Sequence, residues 1–213
     1  MLPKMSYPTS LINKSKVEQA IGLYTRFFAI IYTAILRSSF SKFERGSRIV
    51  PPFRFSNLKA IQIGKMVIFN SNCWIQTIPL NEKDFQTKLV FKDNAIIGMN
   101  ATITAANYIE IGEYVLMGRN VFISDHDHEY RDINIPVCLQ GVMGNEKVII
   151  GAGSWLGHNS VVLPGATIGK HCIIGANSVV NTFIPDYSIA VGSPARVVKQ
   201  FSKQTGRWEK VSK

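Results

Sequence analysis

Between Ile150 and Val180 every sixth residue is aliphatic: Ile150, Leu156, Val162, Ile168, Ile174 and Val180. Gly follows four of them, at Gly151, Gly157, Gly169 and Gly175, where the reading is a corner with unusual backbone angles. A small residue stands two places ahead of each next aliphatic, at Ser154, Ser160, Ala166, Cys172 and Ser178. A helix repeats at about 3.6 residues and a strand at about 2, so a sustained period of six is neither. It points to a solenoid, in which each unit supplies one short strand and one corner of a triangular coil. Side chains alternate across a strand, so the small residue and the aliphatic two positions on both face inward. Three units close a turn, and residues three units apart stack. Trp155 then stacks with Ile173, and Val161 with Val179, giving two outward apolar stripes, while Thr167 is the polar member of the third face. Apolar stripes on the outside of a rigid coil imply contact with further subunits.

The same phase extends toward the N-terminus. Ile63, Phe69 and Ile75 keep it, with Val67 and Cys73 at small inward positions. Residues 78–92, with Pro79, Asn81, Glu82, Lys83 and Asp84, read as an interruption. Ile97, Ala101 and Ile103 resume the pattern, which slips by two near Ile109 and continues through Ile111, Val115, Met117, Val121 and Ile123. Coils restart at Val148 and end near Gly192, Ser193 and Pro194.

Residues 1–15 read as irregular, with Pro3 and Pro8. From Val17 the apolar residues Ala20, Ile21, Tyr24, Phe27, Phe28, Ile31 and Ile35 follow helical spacing, with Ser15 as the N-cap and an end expected near Phe43. The uncharged middle, Phe27 to Leu36, is too short to span a bilayer. Two placements stay open: packing on the coil or on a neighbouring subunit, and contact of residues 17–48 with a membrane surface, with Arg26, Arg37, Lys42, Arg45 and Arg48 near the headgroups. The expected organisation is a helical region at 1–48, the coil at 49–192 with a loop at 124–147, and a short basic segment at 193–213.

The net charge of +10 sits at the two ends: residues 1–60 carry +8 and 196–213 carry +5, while 61–195 carry −3. Such ends favour anionic partners. No nucleic-acid motif or aromatic platform accompanies the charge, so nucleic acid is not expected. Three scattered Cys fit neither a disulfide framework nor a zinc site and suggest a reducing compartment. With no signal-peptide pattern at the N-terminus, the expected location is cytoplasmic, at most peripheral at the inner face of the membrane.

The repeat breaks after Ile123, and residues 124–147 carry Asp125, His126, Asp127, His128, Glu129 and Asp132. A long loop leaving a rigid scaffold is usually functional, and His is the natural general base near neutral pH. His158 and His171 fall at corners, where solvent exposure is the ordinary outcome.

Residues 97–200 resemble the hexapeptide-repeat acyltransferase superfamily, in its galactoside and maltose acetyltransferase branch, and the related O-acetyltransferases of surface polysaccharides. The resemblance implies an all-β solenoid, a left-handed parallel β-helix, with an amphipathic N-terminal helix and a short C-terminal segment. It implies acetyl-coenzyme A as cosubstrate, no metal, a homotrimer with sites between subunits, and a sugar or lipid-linked saccharide acceptor. The family's catalytic His lies five residues after a terminal aliphatic, which gives His128; the second His leaves His126 open as the base. Asn100 matches an acceptor-site Asn, with Asp125 and Asp127 beside the acceptor. Trp155, Gly157, Ala176, Arg196 and Lys199 fall on coenzyme A-binding positions, Arg196 within the closing motif Ile189 to Arg196. Trp155 could equally pack at a subunit interface, and Asn100 could merely bond a corner. Other readings are acetyl transfer to an antibiotic hydroxyl or amino sugar, a zinc-dependent carbonic anhydrase on the same coil, for which a third matching His is missing, and a non-catalytic scaffold.

Overall fold

The computed structural model describes residues 15–80, 84, 86–144 and 146–211. Expectations for the first fourteen residues and for Asn81, Glu82 and Lys83 lie outside the described residues.

The strands follow the chain in strict rotation around three parallel sheets. The first face stacks Lys42–Phe43, Ile61–Ile63, Leu89–Phe91, Tyr108–Ile111, Lys147–Ile150, Thr167–Ile168 and Phe183–Ile184. The second begins Arg48–Ile49, Ile68–Phe69 and Ile96–Ile97, and runs through Leu116–Met117, Trp155–Leu156 and Ile173–Ile174 to Ser188–Gly192. The third holds Phe53–Ser56, Cys73–Thr77, Thr102–Ala105, Phe122–Ser124, Val161–Val162 and Val179–Val180. The register pairs Trp155 with Ile173 and Val161 with Val179, as the period requires.

The repeat aliphatics from Ile150 to Val180 are all buried, and each contributes on the order of 1.5–3 kcal/mol by leaving water. The inward serines are buried yet satisfied: Ser154 Oγ donates to the Gly169 carbonyl (2.8 Å) and Ser160 Oγ to the Gly157 carbonyl (2.9 Å).

The corners divide their backbone requirements differently from the sequence expectation. Gly151, Gly157, Gly169 and Gly175 do not have left-handed φ; they lack a side chain because the next coil passes too close. A Cβ at Gly157 would meet the Ala176 amide nitrogen at 2.6 Å. The left-handed backbone instead falls on the residue just before each small inward position, among them Asn72, Asn94, Asn100, Asn120, Asn159 and Asn177. Asn tolerates that region better than most residues.

Helix α1 (Lys16–Leu36) begins at a capping box: Ser15 Oγ accepts from the Glu18 amide and the Glu18 carboxylate from the Ser15 amide. It ends seven residues earlier than expected, because Phe40 and Phe43 are committed to the coil and Lys42–Phe43 already pairs with the strand Ile61–Ile63. The coil therefore starts at Lys42 rather than at 49. Thr33, one of two buried helix residues, accepts the Ile49 amide at 2.9 Å and ties α1 to the first turn. By length and composition, Lys16–Ser39 is long and apolar enough to cross a membrane, which the uncharged middle alone did not suggest.

Three further boundaries differ. The interruption at 78–92 ends early, since Leu89–Phe91 is a regular, fully buried strand of the first face. The slip near Ile109 is a widened corner at Ala105–Asn107, after which Ile109 and Ile111 both face inward. The C-terminal segment is not a loose tail: Ala195–Ser202 turns back antiparallel on the second face and pairs with Arg207–Lys210.

Candidate active site

The loop leaves the third face at Ser124 and returns to the first face at Lys147. The coil closes across it, with Tyr108–Ile111 pairing directly with Lys147–Ile150. Within the loop, Asp127–His128 pairs antiparallel with Val142–Met143. The outer part folds over Gln140, whose amide nitrogen donates to the carbonyls of Asp132 (2.8 Å) and Ile135 (2.6 Å). Its tip presents Ile133 and Leu139 to solvent.

The sequence cluster of acids and His separates into two environments. Asp125 is fully buried. Its Oδ1 accepts the Ala106 amide (2.8 Å) and its Oδ2 the Asn107 amide (2.9 Å). These are the two amides of the widened corner one coil below. Oδ1 also lies 2.8 Å from His126 Nδ1. A carboxylate accepts only, so Nδ1 is the donor of this pair, and Nε2 is the ring nitrogen left to take up or release a proton. Ser124 Oγ donates to the His126 carbonyl (2.6 Å) and accepts its amide (3.3 Å), which fixes the backbone beneath the ring. A buried base oriented by a carboxylate is the arrangement general-base chemistry needs.

Behind this pair, Lys88 is buried; its Nζ donates to the Ala106 carbonyl and pairs with Asp84 at 2.6 Å. The peptide between residues 106 and 107 thus has a cation at its oxygen and a carboxylate at its nitrogen. The hydrogen bond from Lys88, foremost among the causes, holds the Asp84 carboxyl below the usual carboxylate range. Nothing periodic in the sequence marked Lys88.

The other expected residues lie elsewhere. His128 and Asp127 are exposed on the hairpin, and the His128 ring has no hydrogen-bond partner among the described residues. Asn100 sits at the corner between the second and third faces, about five extended residues, or ~16 Å, from the corner that holds His126. There it belongs to a ladder: Asn100 donates to Asn120 (2.9 Å), Asn120 to Asn159 (2.9 Å) and Asn159 to Asn177 (3.0 Å). The signal that could have found it is Asn immediately before a small inward residue. Trp155 points outward, 46% exposed, between Leu116 and Ile173. Gly157 and Ala176 stack in adjoining corners. Arg196 and Lys199 are exposed on the returning strand. His158 Nδ1 accepts the Arg119 amide (2.8 Å), and His171 stacks on Tyr187 at 5.7 Å. Among the described residues no group of three or more His, Cys, Asp or Glu is placed to hold a metal ion.

Residues 147–182 match the family model described as bacterial transferase hexapeptide (six repeats). A Mycobacterium tuberculosis protein named as an acetyltransferase is 45% identical over 52% of this chain. An Escherichia coli protein named as a lipopolysaccharide biosynthesis O-acetyl transferase is 36% identical over 57% of it. The alignments span 37% and 65% of the lengths of these two relatives. The galactoside O-acetyltransferase of Lactococcus lactis is 33% identical over 76% of this chain and 74% of its own. Among solved structures, an N-acyltransferase of Bacillus cereus, crystallised with dTDP-4-amino-4,6-dideoxyglucose and coenzyme A, shares the fold with a TM-score of 0.67 at 18% identity, over 82% of this chain and 91% of its own.

Proposed function

This chain belongs to the bacterial hexapeptide-repeat transferases, and from that premise we propose that it is an acetyl-coenzyme A-dependent O-acetyltransferase acting on a sugar hydroxyl in surface polysaccharide assembly. The observation that carries the reading is the buried Asp125–His126 pair where the repeat opens. The galactoside and lipopolysaccharide acetyltransferases named among its relatives support a saccharide acceptor.

His126 is the base in this reading. Spacing favours His128, but orientation by a buried carboxylate favours its neighbour. Nε2 takes the proton of the acceptor hydroxyl as its oxygen attacks the thioester carbonyl. Asp125 stabilises the imidazolium that forms. Collapse of the tetrahedral intermediate breaks the C–S bond, and the imidazolium returns its proton to the departing coenzyme A sulfur. Backbone amides at a neighbouring corner hold the carbonyl oxygen while it carries charge.

Trp155 offers an exposed aromatic surface for the cosubstrate, and Arg196 and Lys199 offer exposed cations for its phosphates. Gly157 and Ala176 shape the corner between them. We take the coil to wind left-handed, and the assembly to be a cytoplasmic homotrimer that brings Asn100 and Asp127 of one subunit toward the loop of another. The outward apolar residues Leu116, Trp155 and Ile173 on one face supply surface for that contact.

The test is an acceptor screen with acetyl-coenzyme A, reading free thiol. Thiol release with saccharides that disappears in His126→Ala supports the reading. No release with any hydroxyl or amino sugar, or full activity in both His126→Ala and His128→Ala, overturns it. A monomer in sedimentation at micromolar protein removes the trimer.

A further inference from the structure

Helix α1 is amphipathic in the wrong sense for a soluble protein. At 3.6 residues per turn, the side that meets the coil holds Ala29, Tyr32, Thr33 and Leu36, and, farther along the same side, Glu18 and Arg26. The opposite half of the helix carries Val17, Leu23, Phe27, Ile30, Ile31 and Ile35, each between 43% and 69% exposed, with Lys16 its one charge at the very end. An apolar face about 180° wide pointing away from the protein is a face without its solvent.

Next to that face, between α1 and the first turn, lies a cavity of about 340 Å³. Arg37, Arg45 and Arg48 line it, with Ile30 and Ala34 from the helix. Its acid, Glu44, is already paired with Lys42 at 3.1 Å. None of the three arginines makes an ion pair among the described residues, and Arg48 Nε is buried with no hydrogen-bond partner. A buried guanidinium nitrogen without an acceptor costs free energy that a phosphate oxygen would recover. The cavity therefore combines cationic donors at one end with an apolar wall that continues onto the outward face of α1.

We propose that this end of the protein docks on an anionic phospholipid bilayer, with a lipid phosphate held by Arg37, Arg45 and Arg48 and the apolar face of α1 lying among the acyl chains. The charge decides between this and a second copy of the chain: residues 1–60 carry +8, which an anionic surface complements and an identical subunit does not. The helix lies in the plane of the interface rather than across it, because Thr33 accepts the Ile49 amide and holds the C-terminal part of α1 against the coil.

The experiment is co-sedimentation of the full chain with phosphatidylcholine vesicles, with and without phosphatidylglycerol. Binding that needs the anionic lipid and weakens with salt is expected. Removing all three arginines (Arg37→Ala, Arg45→Ala, Arg48→Ala) should lower the partition coefficient on the order of 100-fold, about five-fold per charge. Arg207→Ala, on the C-terminal strand, should change it far less. Phe27→Gln with Ile31→Gln should also release the protein. Circular dichroism shows whether each variant retains its fold, and Arg48→Lys, which keeps the charge but not the Nε–H, should bind vesicles better than Arg48→Ala and less well than the parent. The proposal is overturned if the anionic vesicles bind no protein. It is equally overturned if the triple variant binds as well as the parent, if inorganic phosphate binds the arginines while vesicles do not, or if Phe27→Gln with Ile31→Gln dissolves an oligomer, which would give the face to a second copy. None of these readouts depends on acetyl transfer.

Discussion

Asp125 Oδ1 and His126 Nδ1 lie 2.8 Å apart, and the same carboxylate accepts the amides of Ala106 and Asn107 in the coil below. One buried side chain thus closes a widened corner and orients a ring. The break in the repeat and the slip in its phase are two halves of one structure.

Substitution should separate those two roles. His126→Ala should lower kcat by about 10²–10⁴ with little change in stability. Asp125→Asn should lower kcat as well, and in addition destabilise the protein by about 1–3 kcal/mol, since the corner amides lose a charged acceptor. Steady-state kinetics and urea unfolding measure the two effects. Asp125→Asn with unchanged activity would remove the orienting role.

The Lys88–Asp84 pair behind Ala106 should be visible in acid. The depressed Asp84 carboxyl means that its contribution is complete above the ordinary carboxylate pKa of about 4 and is lost as pH falls through the lower folded value. Asp84→Asn should cost about 3 kcal/mol at pH 7, because Lys88 remains buried with, among the described residues, only the Ala106 carbonyl as a charge-free partner. The difference between parent and variant should narrow below pH 4 in urea midpoints measured across that range.

The asparagine ladder should be a stability element. Asn120 bonds both Asn100 and Asn159 at a backbone φ of 59°. Asn120→Ala should cost about 2 kcal/mol, from the lost bonds and because Ala tolerates the left-handed region less well than Asn. Asn120→Gly relieves the second part and should cost less. Equal losses in the two variants, read by denaturant unfolding, would count against the backbone argument.

Thiol labelling should distinguish the three cysteines. Burial pushes Cys73 up to about 12 and Cys172 upward as well, while Cys138 is exposed in the loop. The thiolate is the reactive species. Native protein should take up one equivalent of maleimide, at Cys138, and denatured protein three, by intact-mass spectrometry. Labelling of Cys73 in the native protein would contradict a closed coil.

The sequence by itself determined the coil. A period of six with small and aliphatic residues in fixed phase leaves a single way to bury the aliphatics, and the register of Trp155 on Ile173 follows from counting alone. It determined where the coil opens, and that His126 and His128 stand in the opening. It also determined the helix and its cap, because Ser15 and Glu18 act within four residues of each other. Tertiary structure decided the rest. Which His is oriented depends on Asp125 reaching two amides a full coil away, and Lys88 reaches the same peptide from the other side. Asn100 became a rung of a ladder only when corners stacked. The direction of the apolar face of α1 was fixed by Thr33 meeting Ile49, which turned that face outward. Periodicity records contacts that recur at every turn of the coil; it carries no trace of contacts made once, between residues that neither repeat nor lie close along the chain.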